Sequence, residues 1–231
     1  MALAKLLALL AALVATINLQ PPQSERVLDV AWHHQEHNLS CEAAALKMVL
    51  SYYGVALDEV TLMDLMGRDG RPAGLDAAHR LVTWGDPAQA YVGDPDGRIE
   101  RYQGYGAYHQ PVARAAWLAG VSVLESGSGL YGSPVPPGDL YRQVLAGHPS
   151  VAWISNTYHQ VSLRSYTAYD GAAVRYTLTE HAVAVVGVRP DAVLIDDPGF
   201  GRSWHRKAQF EAAYATFAGM AVVIGPPDAL A

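Results

Sequence analysis

The chain has 231 residues, of which 51% are hydrophobic, enough for one domain with a sizeable core or one domain carrying insertions. Its net charge of -6 offers no electrostatic footprint for nucleic acid. A single cysteine, Cys41, excludes an intrachain disulfide framework and leaves the redox compartment open.

In chain order, residues 1–24 open with Met1 and a lone Lys5, then run without charge from Leu6 to Ile17. That run is too short for a spanning helix, which needs roughly 20 apolar residues, and suits a signal-peptide core or a short membrane anchor. Ala15 suits a cleavage position, whereas Leu13 two residues before it is too large. The expectation is export, or a membrane tether with the rest facing outward; the bland alternative is a buried terminal helix and a cytoplasmic protein. Gln20 to Arg26, with Pro21 and Pro22, reads as a linker, so a domain is expected over 25–231.

Val27 to Trp32 alternates as a strand does. From Cys41 the apolar residues Ala44, Ala45, Met48, Val49 and Tyr52 recur at helical spacing, with Asn38 and Ser40 as capping side chains and Gly54 as terminator. Asp58 is placed to cap a second helix carrying Val60, Leu62, Leu65 and Met66 and ended by Gly67; a third is expected at Leu75 to Val82. Between Gly85 and Pro111 the pattern is that of a long loop, whose tyrosines Tyr91, Tyr102, Tyr105 and Tyr108 either line a peptide groove or pack the loop itself. Pro111 starts a helix with Val112, Ala115, Ala116 and Leu118 on one face. A flexible stretch from Ser126 to Gly138 precedes another helix at Leu140 to Leu145.

From Ser150 the period changes to two, through SVAWISN, VSLRSYTAY, AAVRYTLT, HAVAVVGV and DAVLID, with Asp170 and Gly171 as a hairpin turn. A helix at Gln209 to Phe217 and a strand at Ala221 to Ile224 finish the chain. Helices first and an antiparallel sheet second is an α+β order.

The chemistry gathers at four positions. A thiol at the first turn of a helix feels the positive end of the helix dipole, and its own backbone amide faces the same space as a potential oxyanion donor. Gln35, six residues earlier, carries a second amide donor. His181 opens an apolar strand, and a turn at Arg189 to Asp191 returns the chain so that Asp197 lies beside it, able to fix the imidazole tautomer; Asp196 points to the other face if the strand continues, and is the alternative if it does not.

The order Gln35, Cys41, His181, Asp197, within QEHNLSCEAAALKMVLSYYG, EHAVAVVGV and AVLIDDPGFG, resembles the bacteriocin-processing (double-glycine leader) cysteine peptidases and their papain-like relatives, over roughly residues 30 to 225. The resemblance implies a two-lobe fold with the thiol on an N-terminal helical lobe and the imidazole on a C-terminal sheet. It implies a cysteine peptidase in which Cys41 attacks, His181 moves the proton, Asp197 orients His181, and Gln35 stabilises the oxyanion. Glu42 stands where the family usually has glycine after the nucleophile. With no GxxxxGK[ST] phosphate loop and no multiple spans, the chain resembles the stand-alone branch. A peptide or protein is then the expected partner and no cofactor is implied; nothing in the sequence bears on oligomeric state. Two other readings stand beside this one: a non-catalytic peptide-binding relative, and a metal-binding module built from His33, His34, His37 and Cys41.

Overall fold

The computed structural model describes residues 24–227, so the expected export or anchoring run lies outside the described residues. Among these residues no helix is long and apolar enough to cross a membrane. The helices are α1 (Cys41–Tyr52), α2 (Glu59–Met66), α3 (His109–Leu118), α4 (Pro137–Ala146) and α5 (Lys207–Tyr214). The strands are β1 (Arg26–Val27), β2 (Arg68–Asp69), β3 (Gly74–Leu75), β4 (Leu81–Trp84), β5 (Tyr91–Gly93), β6 (Gly104–Gly106), β7 (Val121–Gly127), β8 (Ser150–Ser155), β9 (Arg164–Ala168), β10 (Ala173–Tyr176), β11 (Glu180–Arg189), β12 (Ala192–Asp197), β13 (Gly201–Arg206) and β14 (Ala221–Pro227).

The fold is α+β. Its main sheet has seven antiparallel strands in the order β13-β12-β11-β8-β14-β7, with β1 beside the far end of β11. Strand β11 is central and buried along nine of its ten residues, because α1 and α4 both pack on it. Helix α1 is buried almost all round, unlike the single apolar face of a surface helix; Ala43, Ala44 and Ala45 keep its girth small enough to sit inside the core. Gly54 follows it with φ +78, the left-handed conformation that lets the chain turn away. The Asp58 side chain caps α2, accepting from the Thr61 amide at 2.6 Å.

Several local expectations are corrected. The segment Leu75 to Val82 is a hairpin between β3 and β4 rather than a helix. The Asp76 carboxylate accepts hydrogen bonds from the Ala78 and Arg80 amides, both at 2.9 Å, and His79 adopts φ +56. A short acidic side chain offers the backbone a turn in place of helical partners, and here the turn wins. Within Val27 to Trp32 only Val27 belongs to a strand; Leu28 and Val30 are buried in the core. The 85–111 loop contains β5, β6 and a short 3-10 turn at Ile99–Arg101, and β7 occupies the start of the supposedly flexible 126–138 stretch. Neither Asn38 nor Ser40 caps α1: the Asn38 amide donates to the Asp96 carbonyl at 2.9 Å, and the Ser40 hydroxyl meets the buried Glu59 carboxylate.

Candidate active site

The start of α1, the start of β11 and the turn after β12 converge on one cleft of about 640 Å³, lined by Gln35, Cys41, Glu180, His181 and Phe200 among others. Cys41 is the first residue of α1, where its amide has no carbonyl partner within the helix. Its sulfur accepts a hydrogen bond from the Ala182 amide at 3.4 Å, which ties the helical side of the cleft to the sheet next to His181.

His181 Nε2 lies 2.7 Å from Asp197 Oδ1. The register explains this. Ala184 pairs with Asp196, so one step further sets Asp197 opposite Val183, and His181, two residues before Val183, projects from the same face. Asp197 is only 1% exposed, and its Oδ1 also accepts from the Gly199 and Phe200 amides at 2.8 and 3.1 Å. Burial pushes this carboxyl up, but the bond and charge of His181 with the two amides outweigh burial and hold it below the ordinary carboxylate range. Tyr158 adds its hydroxyl to Oδ2 at 3.4 Å while stacking on His205. Asp196 faces the other way and is held by Arg202 at 2.6 and 2.7 Å.

Gln35 lies in the same cleft, and its backbone amide donates to the Pro198 carbonyl at 3.0 Å. Its side-chain amide donates to the carbonyls of His37 and Asn38 at 2.7 and 2.9 Å. Both of its N–H groups are therefore engaged within the loop that precedes Cys41. That loop is braced by Glu59, a fully buried carboxylate that accepts from the Glu36 amide and His33 Nε2 at 3.0 Å and from Ser40.

The thiol's electrostatic setting differs from the simple picture of a helix-start cysteine. Glu42 Oε2 is 3.5 Å from the sulfur, and Glu180 completes a buried trio with them. Burial pushes the Cys41 thiol well above its ordinary value, Glu42 and Glu180 push it further, and the Ala182 bond opposes them without prevailing. Burial also raises Glu42 to about 7, against the hydrogen bonds from its own amide and that of Ala107. Glu180 is raised by burial and by Glu42. Glu42 fits only because Gly106, at φ +112, stands against it; a Cβ there would lie 1.9 Å from Glu42 Oε1.

The metal-binding set expected from His33, His34, His37 and Cys41 is dispersed. His33 meets Glu59 at 3.0 Å, His34 the Pro198 carbonyl at 2.8 Å, His37 meets Asp96 at 3.0 Å, and Cys41 turns to Glu42. Residues 33–40 form a loop, so four-residue spacing no longer means a shared face. Of the four tyrosines, Tyr105 touches the cleft; Tyr91 and Tyr108 are wholly buried, their hydroxyls donating to the carbonyls of Leu39 and Arg175. Glu180 and Glu59 escaped the sequence reading. The signal for Glu180 was a carboxylate opening an otherwise apolar strand run, a position where a charge has no reason to be buried unless it faces a cleft.

Comparison with known proteins places the chain. A protein of Bacillus subtilis, the uncharacterized YvpB, is 27% identical over 187 residues, covering 80% of this chain and 68% of that one. Among solved structures, a protein of Bacillus anthracis described as C39-like has a TM-score of 0.71 at 23% identity, over 89% of this chain and all of that one, a likeness of fold. The peptidase domain of Streptococcus ComA, at 14% identity over 84% of this chain and 97% of that one, is more distant, with a TM-score of 0.48. The sequence profile of the Peptidase_C39 like family matches residues 27–222, nearly the whole of the described chain, and to that family this chain belongs.

Proposed function

We propose that the chain is a thiol-dependent peptidase. The observation that carries this reading is the His181–Asp197 pair at 2.7 Å, opening on the same cleft as a cysteine at a helix start. Family membership supports peptidase-type chemistry. In the reaction, Asp197 holds Nε2 and so leaves His181 Nδ1 to take the thiol proton as sulfur adds to the peptide carbonyl. The same nitrogen returns that proton to the leaving amine, and water then hydrolyses the thioester. The Cys41 amide receives the developing oxyanion. Gln35 joins it when the carbonyl oxygen draws one N–H away from the loop.

The test is turnover of a peptide mixture by the full chain beside Cys41→Ala. Cleavage products formed by the parent and absent from the variant are the expected outcome; equal cleavage by both would refute the assignment. A second reading, a peptide-binding relative that performs no hydrolysis, is favoured by one observation: the Cys41 thiol is buried beside Glu42 and Glu180, and burial first, then these two carboxyls, push it well above its ordinary value. It predicts retained peptide affinity in Cys41→Ala with no acyl adduct in the parent. Export or outward-facing membrane tethering through residues 1–24 is likewise proposed, on the uncharged Leu6–Ile17 run, and cell fractionation tests it.

A further inference from the structure

Beside the His181–Asp197 pair lies a second constellation, which shares Cys41 with the proposed peptidase reaction and adds two carboxyls that the reaction does not use. Cys41, Glu42 and Glu180 each present one ligand atom, and the three atoms lie within 4.8 Å of one another. All three residues are buried, and among the described residues no Lys or Arg side chain pairs with either carboxyl. Glu180 is 7% exposed, and its Oε1 is sealed from water with no hydrogen-bond partner. A carboxyl oxygen left unpaired in such a place has lost its water without replacement, so the position calls for a partner that arrives from outside.

The geometry points to a site for a thiophilic divalent cation, zinc or its analogue cadmium, held by the Cys41 sulfur and one oxygen each of Glu42 and Glu180. Zn–S bonds of about 2.3 Å and Zn–O bonds of about 2.0 Å at a tetrahedral angle set S and O about 3.5 Å apart. The observed Cys41 Sγ to Glu42 Oε2 separation is 3.5 Å. Cys41 and Glu180 also line the cleft, which gives an ion its approach. Sulfur in the ligand set selects zinc-like ions over magnesium and calcium, which take oxygen alone. Binding forms a metal–sulfur bond and releases the thiol proton, with any proton on the two carboxyls, to the buffer. A sulfur so occupied cannot attack a carbonyl, so the ion acts as a reversible block on the nucleophile.

A second group, His33, Glu36 and Glu59, also has its ligand atoms within 4.8 Å. Its oxygens are already engaged: Glu59 by the Glu36 amide and Ser40, Glu36 by Lys47 at 2.6 Å. It serves as the internal control.

The experiment titrates cadmium chloride, and separately zinc chloride, into metal-free full-length protein, reading stoichiometry calorimetrically and the cadmium–thiolate charge-transfer band in the ultraviolet. One cysteine makes that band unambiguous. One equivalent bound with the band present, loss of both in Cys41→Ala, and at least about tenfold weaker binding in Glu180→Gln are expected, with no response to magnesium. Stoichiometric binding that survives Cys41→Ala, or affinity unchanged in Glu180→Gln, overturns the site. Glu42→Gln gives a second arm should the first variant fail to fold, and His33→Ala should leave affinity unchanged. The readout is binding, so it stands whether or not the protein turns over a peptide.

Discussion

The Cys41 sulfur lies 3.5 Å from Oε2 of Glu42, the residue that follows it in the chain. Two opposed influences meet at that contact. The helix N-terminus and the Ala182 amide favour thiolate, whereas burial and the neighbouring Glu42 and Glu180 favour thiol, and the second set prevails. The Cys41 thiol is therefore held toward its neutral form until something changes the charge around it.

The first prediction concerns that balance. Alkylation of Cys41 by a small neutral electrophile should titrate above the ordinary thiol range, because burial, and after it the nearby negative charge, raises the cost of thiolate. Glu42→Gln removes that charge and should raise the rate at pH 8 by about tenfold, one unit of thiol pKa being worth that much thiolate, whereas Glu180→Gln replaces a carboxyl that burial already pushes toward its neutral form and should change the rate less. Rates unchanged in both variants would show that burial alone sets the thiol.

The second concerns stability against pH. Glu42 titrates near 7 in the fold against an ordinary 4.5. A carboxyl raised on folding contributes its stability fully below the unfolded value and loses it as pH rises through the folded one. The window is therefore about 4.5 to 7, and the whole effect is on the order of 3 kcal/mol. His109 works in the opposite direction: burial lowers it to about 4, so the fold loses stability as pH falls below about 6.5. The parent should accordingly show a shallow profile from pH 4.5 to 6.5. Glu42→Gln should gain relative to the parent as pH rises from 4.5 to 8, measured by urea unfolding at each pH. A constant difference across that range would be inconsistent with a raised Glu42.

Much of this site was visible in the sequence. A helix that starts at the lone cysteine and a strand that opens at His181 are local patterns, and the turn at Arg189 returns the chain toward the histidine; which of the two aspartates meets it is decided by a β-bulge between Val185 and Gly187, which shifts the register by one and which no local pattern records. What was not legible depends on distant groups. The Leu75 to Val82 segment has helical spacing, yet Asp76 closes a turn with the Ala78 and Arg80 amides, a bond no periodicity records. Ser40 looks like a cap, but Glu59, nineteen residues on, claims its hydroxyl. The pairing of Glu42 with Glu180 spans the two halves of the chain, so neither residue announces the other.

A third prediction separates the two adjacent aspartates. Asp197→Asn should lower kcat by roughly 10² to 10⁴, since it removes the charge that balances the imidazolium, while leaving Tm nearly unchanged. Asp196→Ala should do the reverse. It strands Arg202, a partly exposed guanidinium bonded to a fully buried carboxylate, and should cost about 2–3 kcal/mol in urea unfolding with kcat largely kept. If the two phenotypes were exchanged, the roles given to these residues would be wrong.

Gln35 supplies the sharpest separation of structure from chemistry, because its side chain holds the loop and faces the cleft at once. Both amide protons go to the His37 and Asn38 carbonyls, so substitution by alanine loosens the segment leading into α1 whatever else it does. An oxyanion donor matters only when a carbonyl oxygen takes on charge, and alkylation of the thiol creates no such charge. Gln35→Ala should therefore cut kcat/KM for a peptide by about 10² to 10³, mainly in kcat, while Cys41 alkylation at fixed pH proceeds at the parent rate. Parallel losses in both assays would mean that the loop has moved the thiol and that Gln35 is a brace. A selective loss in hydrolysis would mean that one of its N–H groups leaves the loop in the transition state, and that this rearrangement completes the oxyanion hole.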